Sequence, residues 1–237
     1  MKKVCGILGG MGPMATADLF TKIIHNTKAE SDGEHMRVLI DSNTGIPDRT
    51  AAILYGGQSP LPELLRSAKT LERAGADFLI MPCNTAHYFY LDVQEGVSIP
   101  FVNMIEETVK AAAALGIKTA GLLATDGTSS AGIYDVPFRR AGIALIKPSE
   151  EGQKALMDMI YNGVKAGKSS FDTAAIKKEL LNMRERGAEA FVLACTELPL
   201  AFLQYGLDFP ALDPTNVLAR AAVKFGGYAL ADHEERS

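Results

Sequence analysis

Cysteine, histidine and tryptophan are scarce in this chain. Its 237 residues include three cysteines, four histidines and no tryptophan. An odd number of widely separated cysteines does not form a disulfide framework, so we expect a reducing compartment, the cytoplasm. No Cys-x-x-Cys pair is present and the histidines are scattered, so we predict no structural zinc site and no bound metal.

Long apolar runs and a surplus of positive charge are absent too. The longest apolar stretches, such as Ala190–Ala194, are far too short to cross a bilayer, so we expect no membrane segment. Residues 1–8 begin like a signal peptide, but glycines follow at once, and we predict a first strand there instead. A formal net charge of -4 leaves no basic surface, so we expect no nucleic-acid partner.

The chain has instead a regular alternation of short apolar segments and amphipathic segments. Such alternation is typical of parallel α/β sheets, in which a helix joins one strand to the next. We predict strands at residues 3–8, 38–40, 99–103, 118–124 and 144–146, and directly before Cys83 and Cys195. We predict helices from Pro13 onward and at residues 61–74, 106–115, 151–165, 173–186 and 216–225. We predict a long polar loop at residues 41–50 and, at residues 126–130, a polar turn into a helix.

A repeat relates the two halves of the chain. Four landmarks recur in the same order and at nearly the same spacing. They are Gly6 and Gly121, Gly75 and Gly187, Cys83 and Cys195, and Pro100 and Pro210. We therefore predict two pseudo-symmetric parallel-sheet α/β domains with the active site in the cleft between them. We expect residues 1–100 plus about 212–237 in the first domain and residues 101–211 in the second.

Each repeated cysteine stands where an apolar strand ends and a polar segment begins. Asn84-Thr85 follow Cys83, and Thr196-Glu197 follow Cys195. We predict that each polar pair begins a helix, whose free N–H groups would lower the thiol pKa and hold anionic groups. Two thiols on opposite walls of a cleft suit the removal of a proton from one face of a carbon and its return to the other, as in racemisation.

Three further side chains near these motifs have open or structural roles. His87 lies four residues after Cys83 and either tunes that thiol or lies on a helix face that touches solvent. Glu197 could tune Cys195 in the same way. Cys5 lies inside the first predicted strand, so we expect a core residue without a role in chemistry.

These motifs resemble those of a known family. Residues 81–87 (MPCNTAH) and 194–198 (ACTEL) are similar to the two signature motifs of the aspartate/glutamate racemase family. Residues 9–13 (GGMGP) and 46–50 (IPDRT) resemble the aspartate racemase branch, and the resemblance covers nearly the whole chain. It implies racemisation of an amino-acid substrate by two cysteines, no cofactor, a two-domain pseudo-symmetric α/β fold, and often a homodimer.

The resemblance also implies roles for individual residues. Cys83 and Cys195 would be the catalytic pair. The residues implied to bind substrate are Asn84, Thr85 and Thr196 for the α-carboxylate and amino group, Met11, Asp48 and Glu197 as further contacts, and Arg49 and Lys165 for a side-chain carboxylate. An arginine fork and an ammonium group are the chemistry that an acidic side chain requires. We therefore predict interconversion of L- and D-aspartate, with glutamate next.

Other functions remain open from the sequence. Relatives with similar motifs accept neutral amino acids, so a broad-specificity racemase is the alternative within the family. Gly10, Gly12 and Ala15 satisfy the pattern G-x-G-x-x-A after a strand, which is also found in NAD-dependent oxidoreductases. Asp41, however, lies too far along the chain for the ribose-binding acid of that motif. A bilobal small-molecule-binding protein is the non-enzymatic alternative.

Overall fold

The structure is a computed structural model that describes residues 1–232. The first half contains strands β1 (Cys5–Gly9), β2 (Val38–Ser42) and β3 (Phe78–Ile80). Its helices are α1 (Pro13–Asn26), α2 (Arg49–Tyr55), α3 (Leu61–Arg73), α4 (Tyr90–Glu95) and α5 (Met104–Ala114), with 3₁₀ turns at Asp32–Glu34 and Thr85–Phe89.

The second half repeats this alternation. Its strands are β4 (Thr119–Ala124), β5 (Ala144–Ile146), β6 (Ala190–Ala194) and β7 (Ala211–Leu212). Its helices are α6 (Asp126–Ser130), α7 (Asp135–Arg140), α8 (Glu150–Asp158), α9 (Ala174–Glu185), α10 (Leu198–Gln204) and α11 (Pro214–Phe225). A π-helix at Met159–Val164 continues directly from α8.

Two parallel sheets organise these elements. The first has the strand order β2-β1-β3 and the second β5-β4-β6-β7, and every pairing within them is parallel. Neighbouring residues of a strand lie in different apolar clusters: Ile7 packs with one cluster and Leu8 with another. Leu122 and Leu123 divide in the same way in the second sheet. Both faces of each central strand are thus buried, as in doubly covered parallel sheets.

The predicted repeat is visible in matching hydrogen bonds. The Asp77 carboxylate accepts a hydrogen bond from the Val4 N–H at 2.7 Å, and the Asp77 N–H donates to the Val4 carbonyl at 2.8 Å. In the second half the Glu189 carboxylate accepts from the Thr119 N–H at 3.1 Å, and the Glu189 N–H donates to the Thr119 carbonyl at 2.9 Å. Each acidic residue ties its own strand to the start of the central strand. The expectation of two parallel-sheet α/β domains is therefore confirmed.

The prediction of a strand at residues 99–103 is wrong, because this segment does not form an extended strand of the sheet. The segment makes only a single parallel bridge, with hydrogen bonds from the Leu79 N–H to the Pro100 carbonyl and from the Val102 N–H to the Leu79 carbonyl. Pro100 has no N–H to extend the ladder, and Asn103 already caps α5 with its side chain. The corresponding proline in the second half, Pro210, accepts from Phe191 in the same way and precedes the short strand β7.

Other predicted boundaries differ where side chains cap or distort helices. The predicted polar turn at residues 126–130 is the short helix α6, because the Thr125 side chain accepts a hydrogen bond from the Thr128 N–H. The predicted loop 41–50 ends where α2 begins at Arg49, with Asp48 as its N-cap. The predicted helix at residues 151–165 divides into α8 and the π-helix.

The last helix packs on the first half of the chain. Leu218 and Ala222 of α11 lie in one buried cluster with Cys5 of β1 and with Leu19 and Ile23 of α1. Cys5 is fully buried there, as expected for a core residue. The division into residues 1–100 plus about 212–237 and residues 101–211 stays a prediction, and its residues 233–237 lie outside the described part of the chain.

The turn after β1 depends on a glycine in the left-handed region. Gly10 has a φ of 94°, and a Cβ there would lie 2.3 Å from the backbone of Asn43. Gly75 has the same φ of 94°, but a Cβ there would have no neighbour within 4 Å. The two positions therefore share a positive φ that disfavours a side chain, and they differ in how closely another segment approaches.

We predict that Gly10→Ala destabilises the protein more than Gly75→Ala. Both variants incur the left-handed penalty of about 1–2 kcal/mol. Only Gly10→Ala also forces the turn away from Asn43, which adds about 1–3 kcal/mol. Urea unfolding of the two variants and the parent chain measures the difference, and equal losses would contradict this account of the turn.

Candidate active site

A single pocket brings the predicted site residues together at the carboxyl ends of the strands in both halves. Its volume is about 330 Å³, including the part open to solvent. The lining residues are Met11, Asp48, Arg49, Thr50, Cys83, Asn84, Thr85, Thr125, Tyr161, Lys165, Cys195, Thr196 and Glu197. Every residue predicted to be catalytic or to bind substrate is among them. Cys83 and Cys195 are both free thiols and are each 6% exposed.

The chain after Cys83 is held by contacts with the second half. The Thr85 hydroxyl lies 2.8 Å from the Thr128 hydroxyl and 3.1 Å from the Thr125 hydroxyl. All three hydroxyls are buried. Thr125 follows β4, so this hydroxyl cluster joins the end of the second sheet to the wall that carries Cys83.

The predicted capping role of Asn84 and Thr85 is wrong. Asn84 is the residue before a 3₁₀ turn, and its side chain makes no capping bond. Instead its Oδ1 accepts a hydrogen bond from the Tyr134 hydroxyl at 2.5 Å. The amide and hydroxyl side chains bind across the interface between the halves, and these buried partners replace the local cap.

His87 is buried, and both of its ring nitrogens contact backbone groups. The imidazole is buried, its Nδ1 lies 2.8 Å from the Cys83 carbonyl oxygen, and its Nε2 accepts from the Met104 N–H at 3.1 Å. Because Nε2 is the acceptor, the proton is on Nδ1, which donates to Cys83. Burial lowers the pKa of His87 to about 4, against the smaller opposing effect of the bond to Cys83. The neutral ring therefore links the Cys83 backbone to the start of α5.

The second cysteine has a carboxylate as its neighbour. The Cys195 thiol donates to Oε2 of Glu197 at 3.1 Å, and the Thr196 hydroxyl lies 3.3 Å from the same oxygen. We expected a helix N-terminus to lower the Cys195 pKa, and this expectation is wrong. Burial and the negative charge of Glu197 raise the pKa, and the opposing effect of Lys165 is smaller. Cys195 is thus held as a thiol.

Two cations line the pocket without a protein carboxylate bound to them. Arg49 donates from one guanidinium nitrogen to the Pro47 carbonyl at 3.0 Å, and its Nε is buried with no partner in residues 1–232. The ion pairs of the described residues include neither Arg49 nor Lys165. Partial desolvation of the ammonium acts to lower the pKa of Lys165. The charges of Glu197, Cys195, Tyr161 and Cys83 outweigh this effect, so the pKa is raised. An anionic group bound in the pocket would meet both cations.

The π-helix determines where Lys165 lies. The Lys165 N–H donates to the Ile160 carbonyl at 3.0 Å, the spacing of a π-helix, and the ammonium lies 4.2 Å from the centre of the Tyr161 ring. Tyr161 and Lys165 both line the pocket. Such π-helical segments are frequent at functional sites because they redirect side chains within a helix.

Three lining residues were not predicted from the sequence: Thr50, Thr125 and Tyr161. Thr125 directly follows β4, so the position of strand ends could have identified it. Tyr161 lies four residues before Lys165, a spacing that places two side chains on the same side of a helix. Thr50 follows Arg49 in α2. Asp48, which was predicted, lines the pocket and also caps α2, because its side chain accepts a hydrogen bond from the Ala51 N–H.

The glycine-rich turn has a packing explanation. Gly10 is required by the approach of Asn43, and a Cβ on Gly12 would lie 3.9 Å from the Glu197 side chain on the opposite wall. The turn therefore lies close to the wall of the pocket that carries Glu197. Within residues 1–232, no group of three or more His, Cys, Asp or Glu side chains is arranged to hold a metal ion. No helix in the described chain is long and apolar enough to span a membrane.

We predict that His87 makes the stability of the protein depend on pH. The folded-state pKa of about 4 lies below the unfolded value of about 6.5. The unfolded chain therefore binds a proton that the folded chain does not, and stability present above about pH 6.5 is lost as the pH falls towards 4. The loss between about pH 7.5 and 5 is about 2 kcal/mol.

Urea unfolding at the two pH values, compared with His87→Gln, isolates this contribution from that of the carboxylates. The variant should lose about 2 kcal/mol less than the parent over this interval. An identical pH dependence in both proteins would show that the ring is not held neutral.

Comparison with known proteins places this geometry in a family. The model of the Asp/Glu/hydantoin racemase family matches residues 8–222. The chain is 27% identical to the broad specificity amino-acid racemase RacX of Bacillus subtilis (strain 168), over 92% of this chain and 96% of that protein. The Picrophilus torridus aspartate racemase has a TM-score of 0.83 and 32% identity, with 97% of this chain and 96% of that chain covered.

A second solved structure, an aspartate racemase homologue from Pyrococcus horikoshii OT3, has a TM-score of 0.75 and 25% identity, and covers 96% of this chain and all of its own, 100%. The family match covers most of the chain and includes both cysteine motifs, which the fold brings to one pocket. The chain belongs to the Asp/Glu/hydantoin racemase family.

Proposed function

We propose that this protein interconverts L- and D-aspartate without a cofactor, by proton transfer at Cα between Cys83 and Cys195. The observation that supports this most directly is the presence of both free thiols in one pocket, together with Arg49 and Lys165, which form no ion pair within residues 1–232. The family assignment supplies the reaction class, amino-acid racemisation. The two cysteines supply the acid and the base that the reaction requires.

The two thiols would start the reaction in different protonation states. Cys195 donates a hydrogen bond to Glu197 and has a raised pKa, so it keeps its proton and begins as the acid. Cys83 would then be the thiolate that removes the Cα proton and becomes a thiol. The carbanion electrons spread into the α-carboxylate, and Cys195 gives its proton to the opposite face. The product state has a Cys83 thiol and a Cys195 thiolate near Lys165, and the reverse reaction uses this second state.

The choice of aspartate depends on Arg49 and Lys165. An α-amino acid with a side-chain carboxylate would supply the anion that these cations lack among the described residues, 1–232. The similarity to the Picrophilus torridus aspartate racemase supports the same choice. A homodimer and a cytoplasmic location stay predictions.

A broad-specificity amino-acid racemase is the second candidate. The observation that favours it is the similarity to RacX of Bacillus subtilis, which extends over 92% of the chain. Incubation of the purified protein with L- and D-amino acids in deuterated water, without added cofactor, separates the candidates. Loss of the α-proton from aspartate, with glutamate next, supports the first proposal. Equal exchange of neutral amino acids supports the second, and no exchange contradicts both.

We predict that Cys83→Ala and Cys195→Ala each abolish two-way turnover. Each variant lacks the acid or base on one face of Cα, and we expect kcat to fall by at least about 100-fold. Cys5→Ala is the matched control, because this third thiol lies in the core away from the pocket. Chirality measured by circular dichroism checks both directions. Substantial turnover of both enantiomers by either pocket variant would refute the two-thiol mechanism.

We predict that Lys165→Met acts selectively on acidic substrates. The variant removes a charged hydrogen-bond donor, so we expect kcat/KM for aspartate to fall by about 10- to 100-fold. Any turnover of alanine should fall by a smaller factor, because the variant also lacks the cation near the Cys195 thiolate but removes no contact to a side-chain carboxylate of alanine. Lys168→Met, three residues along the same exposed segment, is the control for removal of a positive charge. Equal losses for aspartate and alanine would contradict the role of Lys165 in binding a side-chain carboxylate.

A further inference from the structure

The Asn84 side chain has one atom bound and one atom free. Its Oδ1 accepts a hydrogen bond from the Tyr134 hydroxyl at 2.5 Å. Its Nδ2 is buried and has no hydrogen-bond partner within residues 1–232. Asn84 is 2% exposed and lines the pocket. A buried N–H donor without a partner is costly, so its presence beside a pocket indicates that a ligand supplies the acceptor.

Tyr134 reaches Asn84 from outside the pocket. It is the residue before α7 in the second half, it is fully buried, and its ring packs 5.7 Å from that of Phe138 between ring centres. It is not one of the pocket-lining residues. Burial raises the pKa of the Tyr134 hydroxyl, which therefore stays protonated and able to donate. The hydroxyl thus contacts Asn84 from the side opposite to a ligand.

We propose that Tyr134 is a positioning residue that orients the Asn84 amide so that its NH₂ group, and not its oxygen, faces the substrate. An amide can rotate to exchange its donor and acceptor ends, and only the donor end favours an anion. The Tyr134 hydroxyl binds the oxygen and holds the NH₂ end towards the pocket. The group that meets Nδ2 is then a carboxylate oxygen of the substrate, a step that rests on the proposed racemase function.

This arrangement makes the first wall of the pocket depend on the second half of the fold. Asn84 follows Cys83, whereas Tyr134 lies between β4 and β5. The adjacent Thr85 hydroxyl is bound by Thr128 of the second half in a similar way. The donor that would hold the carboxylate is therefore oriented only while the two halves are in contact.

The test removes the Tyr134 hydroxyl and measures binding separately from turnover. Tyr134→Phe leaves the ring in the core but allows the Asn84 amide to rotate. We expect the dissociation constant for succinate, a dicarboxylate that cannot be racemised, to rise by about 3- to 10-fold in calorimetry. We expect KM for aspartate to rise by the same factor while kcat stays within about twofold, because the interaction is made before and during proton transfer.

A double-mutant cycle with Asn84→Ala distinguishes positioning from a general structural effect. If Tyr134 acts through Asn84, Tyr134→Phe should change succinate binding in the parent chain and should have no effect once Asn84 is alanine. Tyr90→Phe is the matched control, because the Tyr90 hydroxyl also donates a hydrogen bond, to the Phe101 carbonyl at 2.8 Å. It should leave succinate binding unchanged.

The outcomes separate this inference from the proposed function. Equal effects of Tyr134→Phe with and without Asn84, or no effect in either background, would overturn the positioning role even if the protein racemises aspartate. Coupling in the succinate cycle supports the positioning role even if no amino acid is racemised. Absence of succinate binding by the parent chain would also overturn the positioning role, because that role requires the buried Asn84 NH₂ group to bind an anion.

Discussion

The contact between the two halves behind Cys83 is the constraint on which the pocket depends. Thr85 binds Thr125 and Thr128 through buried hydroxyls, and Asn84 binds Tyr134. Buried polar groups of this kind are stable only when each has its partner, so the halves have little freedom to slide past each other. The pocket therefore borders an interface in which the groups that join the two halves are hydrogen-bonded. The Asn84 Nδ2 group beside the pocket has no partner within residues 1–232 and is available to a ligand.

The fold and the residues of the site were largely predictable, because both follow from patterns between residues that are close in sequence. Parallel strands place their carboxyl ends at one edge of a sheet, so a cysteine that ends a strand in each half predicts two facing thiols. The capping of the following helices was not predictable in the same way. Asn84 has partners that are distant in sequence, such as Tyr134, and no local pattern indicates that these outcompete the adjacent backbone.

The same limit explains the other differences. Nothing in the apolar spacing of residues 151–165 indicates the change from α8 to a π-helix, which places Tyr161 beside the pocket. The strand predicted at residues 99–103 has suitable apolar residues, but Pro100 leaves the ladder without a donor. The helix N-terminus was predicted to lower the Cys195 pKa, and Glu197 was named as a residue that could tune it. Burial and the negative charge of Glu197 instead raise this pKa.

The symmetry of the backbone and the asymmetry of the side chains have different consequences for the chemistry. The repeat places the two thiols at equivalent strand ends. His87 is held uncharged against the Cys83 carbonyl, whereas the Cys195 thiol donates a hydrogen bond to the carboxylate of Glu197. A proton moved from Cys195 leaves two negative charges side by side, which is unfavourable unless a cation is near. In the proposed mechanism Lys165 would be this cation, because Glu197 and Cys195 both raise its pKa. The ammonium proposed to bind an acidic substrate would then also stabilise the Cys195 thiolate.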